Sequence, residues 1–272
     1  MHERLNLTGH SYALLTDAAL ARAVVVFVHG FCGCPEKTWV QFQTLVDSVK
    51  TTMPWWENYD AFFYAYNSRS QIGPNAASLL DFVCDVYPAP NWGALGTDPE
   101  LAVRKYTELI LVGHSEGAVL IRMAILRRAQ ELGVGGSDLD EKVSGISEAK
   151  TEDKILHANL RLFAPAYWGS LMSGYKGLLL RTPILSDLIE PLLHTSAAYK
   201  QLSATSPLLQ DVRDRTVALA KRYPNLRAFR AKNLFGSRDA TVSAEALATD
   251  PPAEYEPTHN HVSICKPTLG YL

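Results

Sequence analysis

The short apolar run Leu109-Ile110-Leu111-Val112 leads straight into Gly113-His114-Ser115-Glu116-Gly117, and the stretch from Gly117 to Arg128 is apolar nearly all round. A buried strand and a buried helix joined this tightly require a sharp turn whose middle residue is pushed outward in a strained conformation. The positions flanking that residue must be tiny, or their side chains would strike the strand and the helix. Gly113 and Gly117 meet the demand, and Ser115 is the residue displayed. The helix that follows also directs its N-terminal dipole towards negative charge developing near the hydroxyl.

Ala23–Val28 is a second apolar run without alternation, stopped by His29-Gly30, as expected for a parallel strand covered on both faces. Leu5–Thr8, Tyr12–Leu15, Tyr59–Tyr66, Ala158–Ala164 and Leu226–Ala231 read as further strands. Ala76, Leu79, Leu80 and Val83 follow helical spacing. Strands alternating with helices predict an α/β layer structure around a mainly parallel sheet. With 272 residues, 47% of them hydrophobic, the chain fits a single domain of this class, 1–272. Gly133–Asp153 reads as a polar surface loop. Residues 168–223 read as a mostly helical cap inserted over the C-terminal ends of the strands. Within it Thr182-Pro183 and Ser206-Pro207 mark helix starts. Its apolar residues from Leu178 to Leu193 line an acyl pocket or form the cap's own core, and Trp168 is expected in the core.

Lys plus Arg gives 26 charges against 28 for Asp plus Glu, a balance without the basic footprint of nucleic-acid binding or of an anionic membrane surface. No basic and apolar leader is seen at the N-terminus, and no apolar run is long enough for a transmembrane segment. Four cysteines are too few for a disulfide scaffold, so reduced thiols and a cytoplasmic location are expected. Cys32-x-Cys34 has no second close pair to complete a metal clamp.

A serine hydroxyl is a weak nucleophile and needs a base, itself oriented by an acid. In a strand–turn–helix setting these follow the serine in the order acid, then base. The histidines after Ser115 are His157, His194, His259 and His261. The base is expected near the C-terminus, and His261 is favoured over His259 because Val262-Ser263-Ile264 resumes an apolar, ordered segment. Asp239 is the favoured acid, on a loop (Gly236 to Val242) that follows the strand read at Leu226–Ala231. Asp250 competes, although Pro251-Pro252 beside it indicates a rigid turn. Backbone donors for an oxyanion are expected at Glu116 and at Phe31, where Gly30 allows close approach.

Taken together, His29-Gly30-Phe31, Ser115, Asp239 and His261 resemble the oxyanion turn, nucleophile, acid and base of the α/β-hydrolase superfamily. More narrowly, Val26-Phe27-Val28-His29-Gly30-Phe31 with Lys37-Thr38-Trp39 resembles lipase-like hydrolases related to the GPI inositol-deacylase group. His261-Val262-Ser263-Ile264-Cys265-Lys266-Pro267 and the stretch from Leu202 to Leu209 share that resemblance. It implies hydrolysis of a small-molecule or lipid ester through an acyl-enzyme, without metal or organic cofactor. A moderate to long acyl chain is expected from the apolar cap. The alternatives are a non-catalytic binding or scaffold protein on the same fold, or an acyltransferase or thioesterase. Two departures stand out. Glu116 places a carboxylate beside the oxyanion, with Arg69 or Arg122 as a possible partner. Cys32 and Cys34 flank the oxyanion turn and are read as small packing residues.

Overall fold

A computed structural model describes residues 3–42, 44, 57–98, 101–134, 152–170 and 196–266. The helix start at Thr182-Pro183, the apolar stretch 178–193, His194, Trp55-Trp56 and most of the loop read at Gly133–Asp153 lie outside these residues.

Eight strands form one sheet: β1 (Glu3–Asn6), β2 (Tyr12–Leu15), β3 (Ala23–Val28), β4 (Tyr59–Tyr64), β5 (Glu108–His114), β6 (Asn159–Phe163), β7 (Ala231–Gly236) and β8 (Glu254–Glu256). They are ordered β1-β2-β4-β3-β5-β6-β7-β8. β1, β2 and β4 pair antiparallel, and every pairing from β4 through β8 is parallel. The two continuous apolar runs therefore occupy the middle, where β3 is buried along its whole length between β4 and β5.

Five α-helices are described: α1 (Pro35–Thr38), α2 (Ile72–Val86), α3 (Glu116–Glu131), α4 (Ala197–Gln201) and α5 (Pro207–Arg222). α3 runs from the end of β5 and is flanked by α2 and α5, which is why it is apolar nearly all round. Pro207 opens α5 at its first turn, as the Ser206-Pro207 signal required. Of the expected cap, the described helices α4 and α5 pack against α2 and α3. The other face of the sheet carries an aromatic cluster in which Phe27 stacks on Phe63 and is met at an angle by Trp39 and Phe42. No described helix is long and apolar enough to cross a membrane.

The strand expected at Leu226–Ala231 is displaced. Arg227–Phe229 forms a 3-10 turn that buries Ala228 and Phe229, and the strand begins at Ala231, where the apolar run ends. A short apolar run has the same pattern in a buried turn as in a buried strand. β7 escapes that pattern because Asn233 points inward, where its amide donates to Asp250 Oδ2 at 2.9 Å.

Asp250 is thus a positioned carboxylate after all, and its position is structural. It accepts from Arg122 Nη2 at 2.6 and 2.8 Å and from the Ala231 N–H at 2.7 Å. Both side chains of this ion pair are essentially sealed, at 1% and 0% exposure. The pair ties α3 to the start of β7, and Arg122 is further held by the Tyr167 hydroxyl. Removing one partner of a sealed pair strands the other charge, at a cost of about 3–5 kcal/mol. Asp250→Ala should lower the urea unfolding free energy by about that amount. A loss below about 1 kcal/mol would show that Arg122 finds other compensation.

Candidate active site

Ser115 sits at φ 54° and ψ −116°, in the left-handed half of backbone space that a residue with a Cβ avoids. The turn is held by its surroundings: the Ser115 N–H donates to the Phe163 carbonyl at 3.0 Å, and the Ser115 carbonyl accepts from Ala118 at 3.2 Å. Side chains at the flanking positions would not fit. A Cβ on Gly113 would lie 2.9 Å from the Ala118 backbone, and one on Gly117 would run into the Val28 and His29 carbonyls.

His261 reaches this turn from the far end of the chain. Its Nε2 lies 3.0 Å from Ser115 Oγ, and its Nδ1 lies 2.8 Å from Asp239 Oδ2. A carboxylate only accepts, so Nδ1 carries the hydrogen of the neutral ring and Nε2 is left to accept from the serine hydroxyl. The other oxygen of Asp239 accepts from the N–H groups of Thr241 at 2.7 Å and Val242 at 3.3 Å. Burial pushes the Asp239 carboxyl upward, but hydrogen bonds from His261, Thr241 and Val242 outweigh it, so its pKa falls below the ordinary value. It is the anion that orients the imidazole. Ser115 and His261, at 1% and 3% exposure, form part of the floor of a cavity of about 240 Å³ that also touches Gly30, Phe31, Lys37 and Lys266.

The other expected candidates are placed apart. His259 donates from Nδ1 to the Ser263 carbonyl at 3.0 Å, and its own carbonyl accepts from Arg238, so it pins the loop that delivers His261. His157 ends a 3-10 turn before β6. Cys32 is exposed with φ 54° and lines the cavity, which corrects its reading as a packing residue; Cys34 is half-buried. Trp168 is partly exposed, with Arg213 over its ring and its N–H donating to Glu245.

Two further histidines, to whose side chains the sequence assigns no role, support the site. His114 is buried, and burial with the neighbouring His261 ring lowers its pKa to about 3. Neutral, it donates from Nε2 to the main-chain carbonyl of His261 at 2.8 Å, fixing the loop that carries the ring. His29, lowered to about 4 by burial, donates from Nδ1 to the Gly30 carbonyl at 2.9 Å. The Gly33 N–H donates to that same carbonyl at 3.0 Å. Because the peptide is planar and trans, fixing this carbonyl turns the Phe31 N–H the opposite way. Gly30 also lies so near the elbow that a Cβ on it would be 2.9 Å from Ser115 Cβ.

Neither arginine considered as a partner for Glu116 pairs with it, and Arg122 belongs to Asp250. Glu116 is 0% exposed, and among the described residues neither carboxyl oxygen has a hydrogen-bond partner. Burial raises its pKa well above the ordinary value, so the group is held as the neutral acid.

No protein-family model and no curated protein sequence matches the chain. Solved structures do. The mature lipase BlEst2 of Bacillus licheniformis superposes with a TM-score of 0.54 at 16% identity, over 97% of this chain and 95% of its own. The phospholipase PlaB of Legionella pneumophila gives 0.57 at 14% identity, over 92% of this chain and 56% of its own. The peroxisomal α/β-hydrolase Lpx1 of Saccharomyces cerevisiae gives 0.51 at 10% identity, over 97% and 80%. The fold is that of the α/β-hydrolases. In this α/β-hydrolase fold the turn at Ser115 closes β5 onto α3, and the Asp239 and His261 loops follow β7 and β8.

The neutral state of Glu116 has a measurable signature. A carboxyl whose pKa is raised by folding costs nothing below its unfolded pKa of about 4.3 and withdraws stability as the pH climbs above it. Glu116→Gln should therefore match the parent protein near pH 4 and gain on it steadily towards about pH 8 in urea midpoints. A gap independent of pH would contradict the buried neutral acid.

Proposed function

We propose that the protein is a serine hydrolase that cleaves carboxylic esters through an acyl-enzyme. The observation that carries this reading is the unbroken hydrogen-bonded line from Asp239 through His261 to Ser115, ending at a cavity. Ser115 Oγ attacks the ester carbonyl carbon while its proton passes to His261 Nε2. The carbon–oxygen bond then breaks and the alcohol departs with that proton. Water repeats the sequence in the second half, releasing the acid and restoring the serine. Asp239 keeps the ring oriented and stabilises the imidazolium, and the N–H groups of Phe31 and Glu116 receive the oxyanion. Because Glu116 is neutral, its side chain does not oppose that charge, which answers the objection its position raised.

The structural neighbours named as lipase and phospholipase support an ester as the bond cleaved. The stretches that resemble GPI inositol-deacylase-like lipases include Phe31, Lys37, His261 and Lys266, which border this cavity, and this supports a place near that branch. Four free thiols accord with a reducing, cytoplasmic setting.

Turnover of a 4-nitrophenyl ester tests the assignment. Ser115→Ala and His261→Ala should each lower kcat by several orders of magnitude, and Asp239→Asn by about 10³ to 10⁴. His259→Ala should cost less than about tenfold, since that ring only pins a loop. Reversed phenotypes for the two histidines would overturn the choice of base, and a fully active Ser115→Ala would overturn the nucleophile.

A further inference from the structure

The lining of the cavity at Ser115 carries charge that the hydrolytic chemistry leaves unused. Lys37 lines it from α1 and Lys266 from the segment after His261, two parts of the chain far apart in sequence. Among the described residues no carboxylate lines the cavity: Asp239 lies beneath His261 with both oxygens engaged, and Glu116 is sealed away and neutral. The nearest acid to Lys37 in sequence, Glu36, faces Arg4 at 3.7 Å. Neither lysine makes an ion pair with a described residue. The same wall offers Thr38.

Two lysines on the lining of one cavity, with no carboxylate among its described residues, repel each other, and an anion between them reverses the sign of that interaction. A partly enclosed wall also focuses the field they produce. The cavity volume, about 240 Å³, lies below the range of drug-sized pockets, so what the lysines hold is a small group.

We propose that the ester cleaved at Ser115 bears a second, anionic group, a carboxylate or a phosphate, held between Lys37 and Lys266. The proposal rests on the hydrolase reading above and narrows its substrate class. The serine attacks the ester carbonyl as before. The lysines bind the anion and thereby set which ester is presented.

Matched ester pairs test this. For an anion on the acyl side, 4-nitrophenyl heptanoate is compared with the mono-4-nitrophenyl ester of adipic acid. For an anion on the alcohol side, benzyl acetate is compared with 4-(acetoxymethyl)phenyl phosphate. The ratio of kcat/KM, anionic over neutral, is measured in the native protein and in the Lys37→Gln/Lys266→Gln double variant. In at least one pair the ratio should fall by about 10- to 100-fold in the double variant, the range expected for charge-assisted hydrogen bonds. Which pair responds tells an acyl-side carboxylate from an alcohol-side phosphate. In the native protein the same ratio should fall as salt is raised to about 1 M, a measurement that needs no variant. Ratios unchanged by both substitution and salt, in a protein that a fluorophosphonate still labels, overturn the anionic substrate alone. A native protein that neither labels nor turns over any of the four esters overturns the hydrolase reading and this proposal with it.

Discussion

A serine forced to a positive φ between a buried strand and a buried helix is the constraint from which the rest of the molecule follows. The elbow cannot relax, because Ser115 is bonded on one side to β6 and on the other to the first turn of α3. Nor can it tolerate larger neighbours, because Gly117 abuts the carbonyls that end β3. Those carbonyls begin the turn carrying Phe31, so the same crowding that holds the hydroxyl out also brings Gly30 against Ser115. Strain of about 1–3 kcal/mol at such a residue persists only where the surroundings overdetermine it. Here the central strands and α3 do so.

Three carboxyl groups of the molecule are treated in three ways, and the differences are chemical. Asp239 is kept as an anion by three hydrogen bonds and orients the imidazole. Asp250 is kept as an anion by Arg122 and fastens α3 to β7. Glu116 has no hydrogen-bond partner among the described residues, so burial keeps it neutral beside Ser115. The buried histidines divide their work similarly. His29 and His114 are neutral donors that each fix one main-chain carbonyl, and His261 alone joins the carboxylate to the hydroxyl.

Much of this was legible before any coordinate. The apolar runs at Ala23–Val28 and Leu109–Val112 are legible because central parallel strands are covered on both faces. The elbow is legible because only glycine fits beside it. The preference for His261 over His259 rested on the ordered segment after it, and the structure brings His261 to the serine. β7 was not legible, since its inward Asn233 is apolar in neither pattern nor purpose: it serves a carboxylate 17 residues away. The role of Asp250 was hidden for the same reason, and Pro251-Pro252 pointed to a turn without revealing what the turn presents. The contacts of His114 and His29 to main-chain carbonyls leave no trace in spacing, because a carbonyl is present at every position.

The central claim is that Ser115 is a nucleophile made reactive by His261. Mass spectrometry of the intact protein after exposure to a fluorophosphonate, followed by peptide mapping, addresses it most directly. A single adduct on Ser115, formed by the native protein and lost in His261→Ala, is the predicted result. No adduct on folded native protein, or an adduct on another residue, would contradict it.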